Sequence, residues 1–435
     1  MKTESVNLAR FEGEAKIKLV WKDGIVADAK ISLPSTRNIE RVLAGRPYMD
    51  ALVITPRVCG ICGHAHLIAS AKAIENLMEI EPTQKAELVR KITQNLELLQ
   101  NHIKWFYLFL MPDFVFIKED LRNLYGPFSG ERWRKAIEIA SSITKGIALF
   151  SGQWPHSSYA IPGGITSQPT YKEIVLLKQT LLGVKDFFFK LLVGMEEDEF
   201  YHWFKRGSWK GVKGDMGIFL ELSEKEGLLN MGRSYNRLIS FGNSYTSSGY
   251  YMKKVVHGRM KLTQVEELKT PSYTKAPPVR YKGLPFETGP ISRQLLAGTF
   301  PIKEMHKELG DSFVVRVFAR ILEIWNIMKA IENWLEELKD LLHQPSTSLK
   351  RPPSKISGTG YGVVEAARGS LIHKVKVKNG FIESYSIITP SQWNLGPRCE
   401  KFYGVAEKSL FGLKKELHVQ IILRSFDLCS VCTTH

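Results

Sequence analysis

The sequence predicts a mainly α-helical protein with peripheral β-hairpins, an α+β fold built around a helical bundle core. Apolar residues recur about one helical turn apart through most of the range from about 60 to 343. Two shorter stretches, one near each end, instead alternate apolar and polar residues around tight turns. The chain has 435 residues, 44% of them hydrophobic, and no Gly/Ser-rich linker. We therefore expect a single globular domain over residues 1–435.

The two alternating stretches are predicted to be β-hairpins. Residues 14–33 alternate around Lys22-Asp23-Gly24, and residues 361–390 alternate around Asn379-Gly380. Asp-Gly and Asn-Gly pairs are typical of the tight turns that join two antiparallel strands. The sequence therefore places one hairpin before the helical region and one after it.

Between the hairpins, the predicted helices form the core. Thr83 is expected to cap a helix in which Leu88, Ile92, Leu96 and Leu99 repeat about once per turn. Further helices are predicted near residues 131–150, 170–206 and 311–343. Residues 344–360 are rich in Pro, Ser and Gly and are predicted to form a loop. Helices of this length indicate a helical bundle.

The net charge of +16 bears on possible partners. A nucleic-acid site needs clustered Lys and Arg, because binding is driven by the release of phosphate counterions. Here the basic residues are scattered, and Lys374, Lys376 and Lys378 alternate as they would on the solvent face of a strand. We predict no nucleic-acid partner, and we interpret the basic surface as facing an acidic partner subunit or an anionic membrane.

The sequence also bears on cellular location. Residues 1–16 include several charged side chains and no apolar core, unlike a secretory signal. The most apolar stretch, residues 105–117, contains Pro112 and Asp113 and is shorter than the roughly 20 apolar residues of a membrane-spanning helix. We expect a cytoplasmic protein, or one that joins a membrane or a higher-order oligomer through its partners.

Four of the five cysteines form two Cys-x-x-Cys pairs, Cys59/Cys62 and Cys429/Cys432, and Cys399 is left over. Two such pairs predict a four-thiolate metal site, and structural zinc is the simplest occupant. The pairs of a zinc ribbon usually lie within about 15–20 residues of each other, whereas these lie near opposite ends of the chain. That separation favours an active centre, which places a metal-binding segment at residues 404–435. A stable disulfide is less favoured, because such short loops suit redox or metal chemistry.

The segments around both pairs resemble a known family. Residues 56–66 (PRVCGICGHAH) and 427–435 (DLCSVCTTH) are similar to the two cysteine signatures of nickel-iron hydrogenase large subunits. The resemblance implies that Cys59, Cys62, Cys429 and Cys432 bind nickel. Cys62 and Cys432 would also bridge to an iron that carries carbon monoxide and cyanide. Soft thiolate ligands suit such late transition metals.

Two further resemblances concern acidic residues in the first 50 positions. Arg10-Phe11-Glu12-Gly13 resembles the family segment whose glutamate, here Glu12, relays protons away from a nickel-bound cysteine. The segment containing Glu40 resembles the one whose glutamate binds magnesium, together with a backbone carbonyl, here that of Ile387, and the imidazole of His435. Oxygen ligands suit this hard cation. An exposed acid remains the alternative interpretation of both glutamates.

The late block of residues 365–398 also matches the family in order. There the resemblance implies that Arg368 holds its guanidinium over the open metal position and serves as a base, and that Ser391 donates a hydrogen bond to a cyanide. An ordinary loop arginine is the alternative for Arg368. The segment around Asp113 resembles the family helix whose aspartate orients this arginine, and Asp113 needs a partner because an unpaired charge amid apolar residues is costly. The residues implied to line the same site are Ala367, Pro390, Asp427 and His66.

The role of His66 has two interpretations. It would donate a hydrogen bond near a bridging sulfur, or it would be a core histidine with its hydrogen bonds satisfied elsewhere. Four positions depart from the family pattern without removing a metal ligand. They are Leu428 and Ala367, where proline is usual, Trp105, where histidine is common, and Cys399, where an acid is usual.

The resemblance implies reversible heterolytic cleavage of dihydrogen into protons and electrons. The remaining cysteine cannot hold an iron-sulfur cluster, which usually takes four thiolates, so an iron-sulfur small subunit is the expected electron acceptor. A maturation endopeptidase and nickel-insertion factors are the other expected partners. The alternatives are a hydrogen-sensing regulatory subunit, a metal-free subunit related to quinone reductases, and a structural zinc protein.

Overall fold

The computed structural model describes residues 1–8, 10–242, 250–253, 256–259, 261–349 and 351–435. The described strands are β1 Lys2–Asn7, β2 Lys16–Lys22, β3 Ile25–Ser32, β4 Ala160–Ile161, β5 Gly164–Ile165, β6 Arg237–Ile239, β7 Tyr250–Lys253, β8 Val256–Arg259, β9 Val265–Glu267, β10 Val279–Tyr281, β11 Gly358–Ala366, β12 Gly369–Lys378 and β13 Phe381–Ile388.

The described α-helices are α1 Ile39–Leu43, α2 Ala51–Ile54, α3 Gly63–Met78, α4 Gln84–Lys104, α5 Met111–Val115, α6 Arg122–Tyr125, α7 Glu131–Ser151, α8 Tyr171–Phe187, α9 Glu197–Arg206, α10 Gly214–Lys225, α11 Pro290–Leu296, α12 Phe300–Leu309, α13 Phe313–Leu341, α14 Pro390–Leu395, α15 Val405–Ser409, α16 Glu416–Arg424 and α17 Ser430–Thr433. The mainly helical class with small peripheral sheets is therefore confirmed.

Both predicted hairpins are confirmed. Strands β2 and β3 pair antiparallel across Asp23-Gly24, and β12 and β13 pair across Asn379-Gly380. All four turn residues have positive φ, as a tight turn of this type requires. Each hairpin gains a third strand that the sequence did not indicate, giving the sheets β1-β2-β3 and β11-β12-β13.

The predicted helices are confirmed with small changes in their bounds. The Thr83 side chain accepts a hydrogen bond from the Ala86 backbone N–H and caps α4. The predicted helix at 170–206 is two helices, α8 and α9, because a π-helical turn ends at Gly194 in the left-handed conformation. The longest helix, α13, packs against α4, α8 and α11 in the centre of the molecule.

The helical core predicted over about 60–343 is interrupted between α10 and α11. The described part of that segment contains only short strands, a 3₁₀ turn and irregular chain. Proline explains part of this, since Pro271, Pro277, Pro278 and Pro285 cannot donate backbone hydrogen bonds and disfavour helix at the preceding residue. The predicted loop at 344–360 is correct as far as β11, which begins at Gly358.

Strand β11 lies directly on helix α3, and two glycines make this contact possible. A Cβ atom added at Gly362 would lie 1.8 Å from the Ala69 carbonyl oxygen, and one at Gly360 would lie 2.0 Å from that of Ala73. Strand β11 continues through a two-residue turn, Ala367-Arg368, into β12. The close packing therefore fixes where Arg368 lies relative to α3, which begins just after Cys62.

Within the described residues, we find no helix with the length and apolar character that crossing a bilayer requires.

Candidate metal centre

The four cysteines of the two pairs come together in the interior. The Sγ atoms of Cys59 and Cys429 are 3.8 Å apart, those of Cys62 and Cys432 are 3.6 Å apart, and those of Cys429 and Cys432 are 2.9 Å apart. The Sγ atoms of Cys59, Cys62 and Cys432 all lie within 4.8 Å of one another. All four side chains are buried and none forms a disulfide. The predicted convergence of the two pairs is therefore present.

Local structure explains how each pair is presented. Cys59 follows a 3₁₀ turn, and Cys62 immediately precedes α3. Cys429 is the N-cap residue of the short helix α17, and Cys432 lies within that helix. The N-terminal segment joins them, because the Ser430 backbone N–H donates to the Glu12 carbonyl at 2.9 Å. Gly13 permits this approach, since a Cβ atom there would lie 2.1 Å from the Ser430 Oγ.

The thiols influence one another's protonation. Hydrogen bonds from Cys429, Cys432 and Cys62 hold the pKa of Cys59 well below its ordinary value. Burial instead raises the pKa of Cys429 well above its ordinary value, and the charge on Cys59 adds to that effect. The protein alone thus favours one thiolate stabilised by three thiols. A bound cation would favour the thiolate form of the other three cysteines, because metal ligands bind deprotonated.

Arg368 lies beside the cysteines and is held by Asp427. Its Nε donates to the Asp427 carbonyl at 2.8 Å, and its Nη2 donates to the Asp427 carboxylate at 3.1 Å. Burial alone would lower the pKa of Arg368, but Asp427 and the cysteine sulfurs hold it well above its usual value. The guanidinium therefore stays charged. The prediction that Asp113 would orient Arg368 is wrong.

Asp113 has two other arginine partners. Its buried carboxylate pairs with Arg10 in the N-terminal segment and with Arg424 at the end of α16. The expectation that this charge needed a partner was correct, but the partners belong to the two chain termini. Asp113 therefore fastens the segments that carry Glu12 and Cys429 rather than acting on Arg368 directly.

Two unsatisfied polar atoms border the cluster, which is unusual for buried groups. Arg368 Nη1 and Ser391 Oγ are buried, and neither has a hydrogen-bond partner among the described residues. Both residues line a cavity of ≈ 10 Å³, about the room that one water-sized molecule needs. Its other lining residues are Cys62, His66, Ala366, Leu371, Thr389, Pro390 and Cys432. Two unsatisfied hydrogen-bond donors therefore share a small cavity with two of the cysteines. This arrangement fits a metal whose own small ligands accept hydrogen bonds.

Glu12 lies on the other side of Arg368. It is half-buried, and a second small cavity is lined by Glu12, Arg368, Asp427 and Leu428 among others. Burial raises the pKa of Glu12, and the charge on Cys59 raises it further. A carboxyl whose pKa is raised in this way can hold a proton next to the cysteine cluster.

The three residues predicted to hold magnesium lie together, although Ile387 makes its contact through a different atom from the one predicted. The His435 Nε2 lies 3.5 Å from the Glu40 carboxylate, which accepts a hydrogen bond from the Ile387 backbone N–H at 2.7 Å. The prediction concerned the Ile387 carbonyl, whereas its N–H makes this contact. Glu267, which the sequence did not indicate, contributes a further nearby carboxylate. Burial raises its pKa, the charge on Glu40 raises it further, and Gln392 donates to it at 2.9 Å.

His66 begins a buried chain of side chains that the sequence also did not reveal. Its Nδ1 lies 3.0 Å from the Nε2 of His373, whose Nδ1 lies 2.8 Å from the Tyr385 hydroxyl. The Tyr385 hydroxyl donates to Ser70 Oγ at 3.2 Å. Burial lowers the pKa of His66 to about 3, so the imidazole is neutral. The residues of this chain come from α3, β12 and β13, and no local pattern joins those elements.

A family model described as nickel-dependent hydrogenase matches residues 37–123 and 240–435, more than half of the chain. This chain belongs to the nickel-dependent hydrogenase family. The matched ranges contain both cysteine pairs, Arg368 and the residues around Glu40 and His435, and membership makes the protein an oxidoreductase of the hydrogenase large-subunit type. It also excludes the purely structural zinc protein considered from the cysteine spacing alone.

Individual hydrogenases match along the whole chain. The periplasmic NiFeSe hydrogenase large subunit of Desulfomicrobium baculatum is 28% identical over 98% of this chain and 93% of its own length. Sulfhydrogenase 2 subunit alpha of Pyrococcus furiosus is 25% identical over 98% and 97%. The solved Ni-Fe-Se hydrogenase of D. vulgaris Hildenborough in the reduced state superposes with a TM-score of 0.84 at 25% identity, covering 100% of both chains. The solved structure therefore shares the fold of this chain over its full length.

Proposed function

We propose that this chain is the catalytic large subunit of a nickel-iron hydrogenase that interconverts dihydrogen with protons and electrons. The observation that carries the proposal is the convergence of four buried cysteine sulfurs from the two ends of the chain. Cys59, Cys62, Cys429 and Cys432 would hold nickel and an iron that carries carbon monoxide and cyanide. When bound, that group supplies the position at which dihydrogen is split.

The side chains around the cluster would carry out the proton chemistry. Arg368 keeps its charge and presents a free Nη1 at the cavity, where a fixed donor in a water-poor site acts strongly. Ser391 would donate to a cyanide. Glu12 would receive the proton at its carboxylate and pass it outwards, since burial and the charge on Cys59 raise its pKa and so favour the protonated form. Glu40, Ile387 and His435 would hold a magnesium ion.

The electrons would pass to an iron-sulfur small subunit. The hydrogenases that match this chain include proteins named as large subunits, which supports a partner of this kind. Within this chain, Cys399 is the only cysteine outside the cluster, and an iron-sulfur cluster usually needs four thiolates. The maturation endopeptidase and the nickel-insertion factors remain predictions. The cytoplasmic location also remains a prediction, and one relative is named as periplasmic.

Infrared spectroscopy and metal analysis of the purified protein test this proposal. We expect nickel and iron in equal amounts, together with cyanide and carbonyl stretching bands. Cys432→Ser should lose the bands and most of the metal, because it removes a thiolate that would bridge both ions. Cys399→Ser is the matched control, since Cys399 is not part of the cluster, and it should keep both. Zinc as the only metal, or unchanged bands in Cys432→Ser, would refute the proposal.

A further inference from the structure

Arg293, on helix α11, uses every donor of its guanidinium in the protein interior. Its Nε and Nη2 donate to the two carboxylate oxygens of Glu323, each at 2.7 Å, and its Nη1 donates to Glu365 at 3.0 Å. Two further bonds go to backbone carbonyls, from Nη1 to Ala366 at 2.9 Å and from Nη2 to Ala367 at 3.1 Å. A guanidinium has five N–H groups, so all five are engaged.

The two carbonyls belong to the turn that carries Arg368. Ala367 and Arg368 are the two residues of the β11–β12 turn, which Ala366 and Gly369 close as paired residues. Arg293, which lies on α11, thus binds the backbone carbonyls of the two residues immediately before Arg368. Neither alanine has a polar side chain that could hold the turn, so Arg293 supplies polar contacts that the turn residues themselves lack.

A second connection from the same cluster reaches the side chain of Arg368. Glu323 also accepts from the Nε2 of His102 at 2.7 Å, and His102 Nδ1 accepts from Arg320 at 3.2 Å. Arg320 donates to Asp427 at 2.9 Å, the same carboxylate that binds Arg368. Burial lowers the pKa of His102 to about 4, so a neutral imidazole links the two ion pairs. The contacts therefore form a closed buried ring.

Burying the charged groups of this ring costs free energy, because the charges are removed from water. The side chains of Arg293, Glu323 and Glu365 have no solvent exposure. Buried ion pairs often contribute little net stability, because desolvation of the charges offsets their attraction. What the ring does achieve is to fix the backbone and the side chain of one residue, Arg368, from two directions.

We propose that Arg293 is a positioning residue, which acts through the Ala366–Ala367 carbonyls to hold Arg368 at the cysteine cluster. This inference rests on the proposed function only where turnover is measured; the positioning of Arg368 by Arg293 does not depend on it. Lysine cannot replace the arginine, because its single ammonium group has three donors and no planar fork. Arg293→Lys should therefore keep the charge but release the turn.

A double-mutant cycle in hydrogen-dependent dye reduction, measured on the complex with its partner subunit, tests this. Arg293→Lys should lower turnover about 100-fold, the cost of a small misplacement of a catalytic group. In an Arg368→Lys background the same change should cost less than about 2-fold, since residues that act through one another are not additive. Equal losses in both backgrounds would overturn the proposal.

Arg90→Lys is the matched control. Arg90 is similarly buried, makes a bidentate pair with Glu75 and donates to the Gly164 carbonyl at 2.7 Å, but it has no contact with the ring. It should lower thermal stability and leave turnover within about 2-fold of the unmodified complex. A loss of turnover equal to that of Arg293→Lys would show that the effect comes from general destabilisation.

Hydrogen-deuterium exchange provides a readout that needs no turnover. Peptides covering residues 365–370 should exchange faster in Arg293→Lys and not in Arg90→Lys, with nickel and iron contents unchanged in both. Unchanged exchange would overturn the proposal even if turnover fell. If the unmodified complex lacks hydrogenase activity, the proposed function fails while this measurement still decides the positioning role. Should Arg293→Lys fail to fold, Glu323→Gln loosens the same guanidinium more gently and is expected to show the same exchange.

Discussion

Glu12 is the residue whose environment best suits proton transfer. It lies half-buried beside the cysteine cluster, its backbone is tied to Ser430, and its pKa is raised by burial and by the charge on Cys59. The Glu12→Gln side chain keeps the shape of glutamate, but its amide cannot take up and release a proton as a carboxylate does. We expect turnover to fall about 100-fold or more, the usual scale for a positioned acid or base. Nickel and iron contents should stay unchanged.

Glu14→Gln is the control for Glu12→Gln, since Glu14 is exposed and its side chain makes no ion pair among the described residues. Turnover should be unaffected by it. Normal turnover in Glu12→Gln would mean that protons leave the cluster by another route, and loss of metal in that variant would assign Glu12 to assembly of the site instead.

Asp113 is expected to matter for stability, since its buried carboxylate joins Arg424, which is also buried, to the partly exposed Arg10. Asp113→Asn leaves the buried guanidinium of Arg424 and the partly exposed guanidinium of Arg10 without their carboxylate. Breaking a buried pair in this way costs about 3–5 kcal/mol, so the midpoint of thermal unfolding should fall clearly. The exposed Asp120→Asn should change stability by less than about 0.5 kcal/mol. An unchanged midpoint for Asp113→Asn would contradict this role.

At this scale, the sequence identified residues better than it identified their contacts. The four cysteines meet as their chemistry and spacing indicated, and Glu40 and His435 meet as the family resemblance implied. The pairing of Asp113 with Arg368 was wrong because ion-pair partners depend on where backbones lie in space. Arg293 and His373 were missed entirely, since one arginine or histidine within a helix or strand has no distinctive spacing.

At the scale of elements, the contact between β11 and α3 controls the placement of the Arg368 turn. Gly362→Ala would place a methyl carbon 1.8 Å from the Ala69 carbonyl oxygen, and backbone on both sides leaves little room to adjust. We expect a loss of stability of more than about 3 kcal/mol, at or above the upper range for overpacking, and reduced metal content. Thermal unfolding and metal analysis check both effects.

Gly183→Ala in helix α8 is the appropriate comparison for Gly362→Ala. Beyond its own helix, a Cβ atom at Gly183 would meet no atom of the described residues within 4 Å, and alanine there should stabilise the protein by about 0.4–1 kcal/mol. Similar behaviour of the two variants would show that β11 can move away from α3 without harm.

Elements with strong local signals were predictable and elements without them were not. The Asp23-Gly24 and Asn379-Gly380 turns and the Thr83 cap depend only on neighbouring residues, and all three are present. The short strands β6, β9 and β10 have three residues each. Such strands are defined by long-range pairing rather than by periodicity, so the helical interpretation of that region failed.

At the scale of the whole molecule, the two ends of the chain meet at the site. Besides the contact between Glu12 and Ser430, the Arg37 backbone N–H donates to the Thr434 carbonyl at 3.3 Å. Cysteine spacing alone indicated that residues more than 360 positions apart should converge, because four thiolates make one metal site. The path of the intervening chain could not be predicted from local patterns.

Under the proposed function, dihydrogen would be cleaved in this chain, and the electrons would be carried away by its partner subunit. Glu12 would exchange protons within this chain, whereas the one remaining cysteine, Cys399, cannot hold an iron-sulfur cluster that would carry electrons away. The metal-loaded chain, separated from its partner, should therefore retain isotope exchange between dihydrogen and heavy water but lose hydrogen-dependent dye reduction. Adding the partner back should restore dye reduction.

Dye reduction by the separated chain at the rate of the complex would show that electrons leave by a path within this subunit. Loss of isotope exchange on separation would show that the partner is needed for cleavage itself.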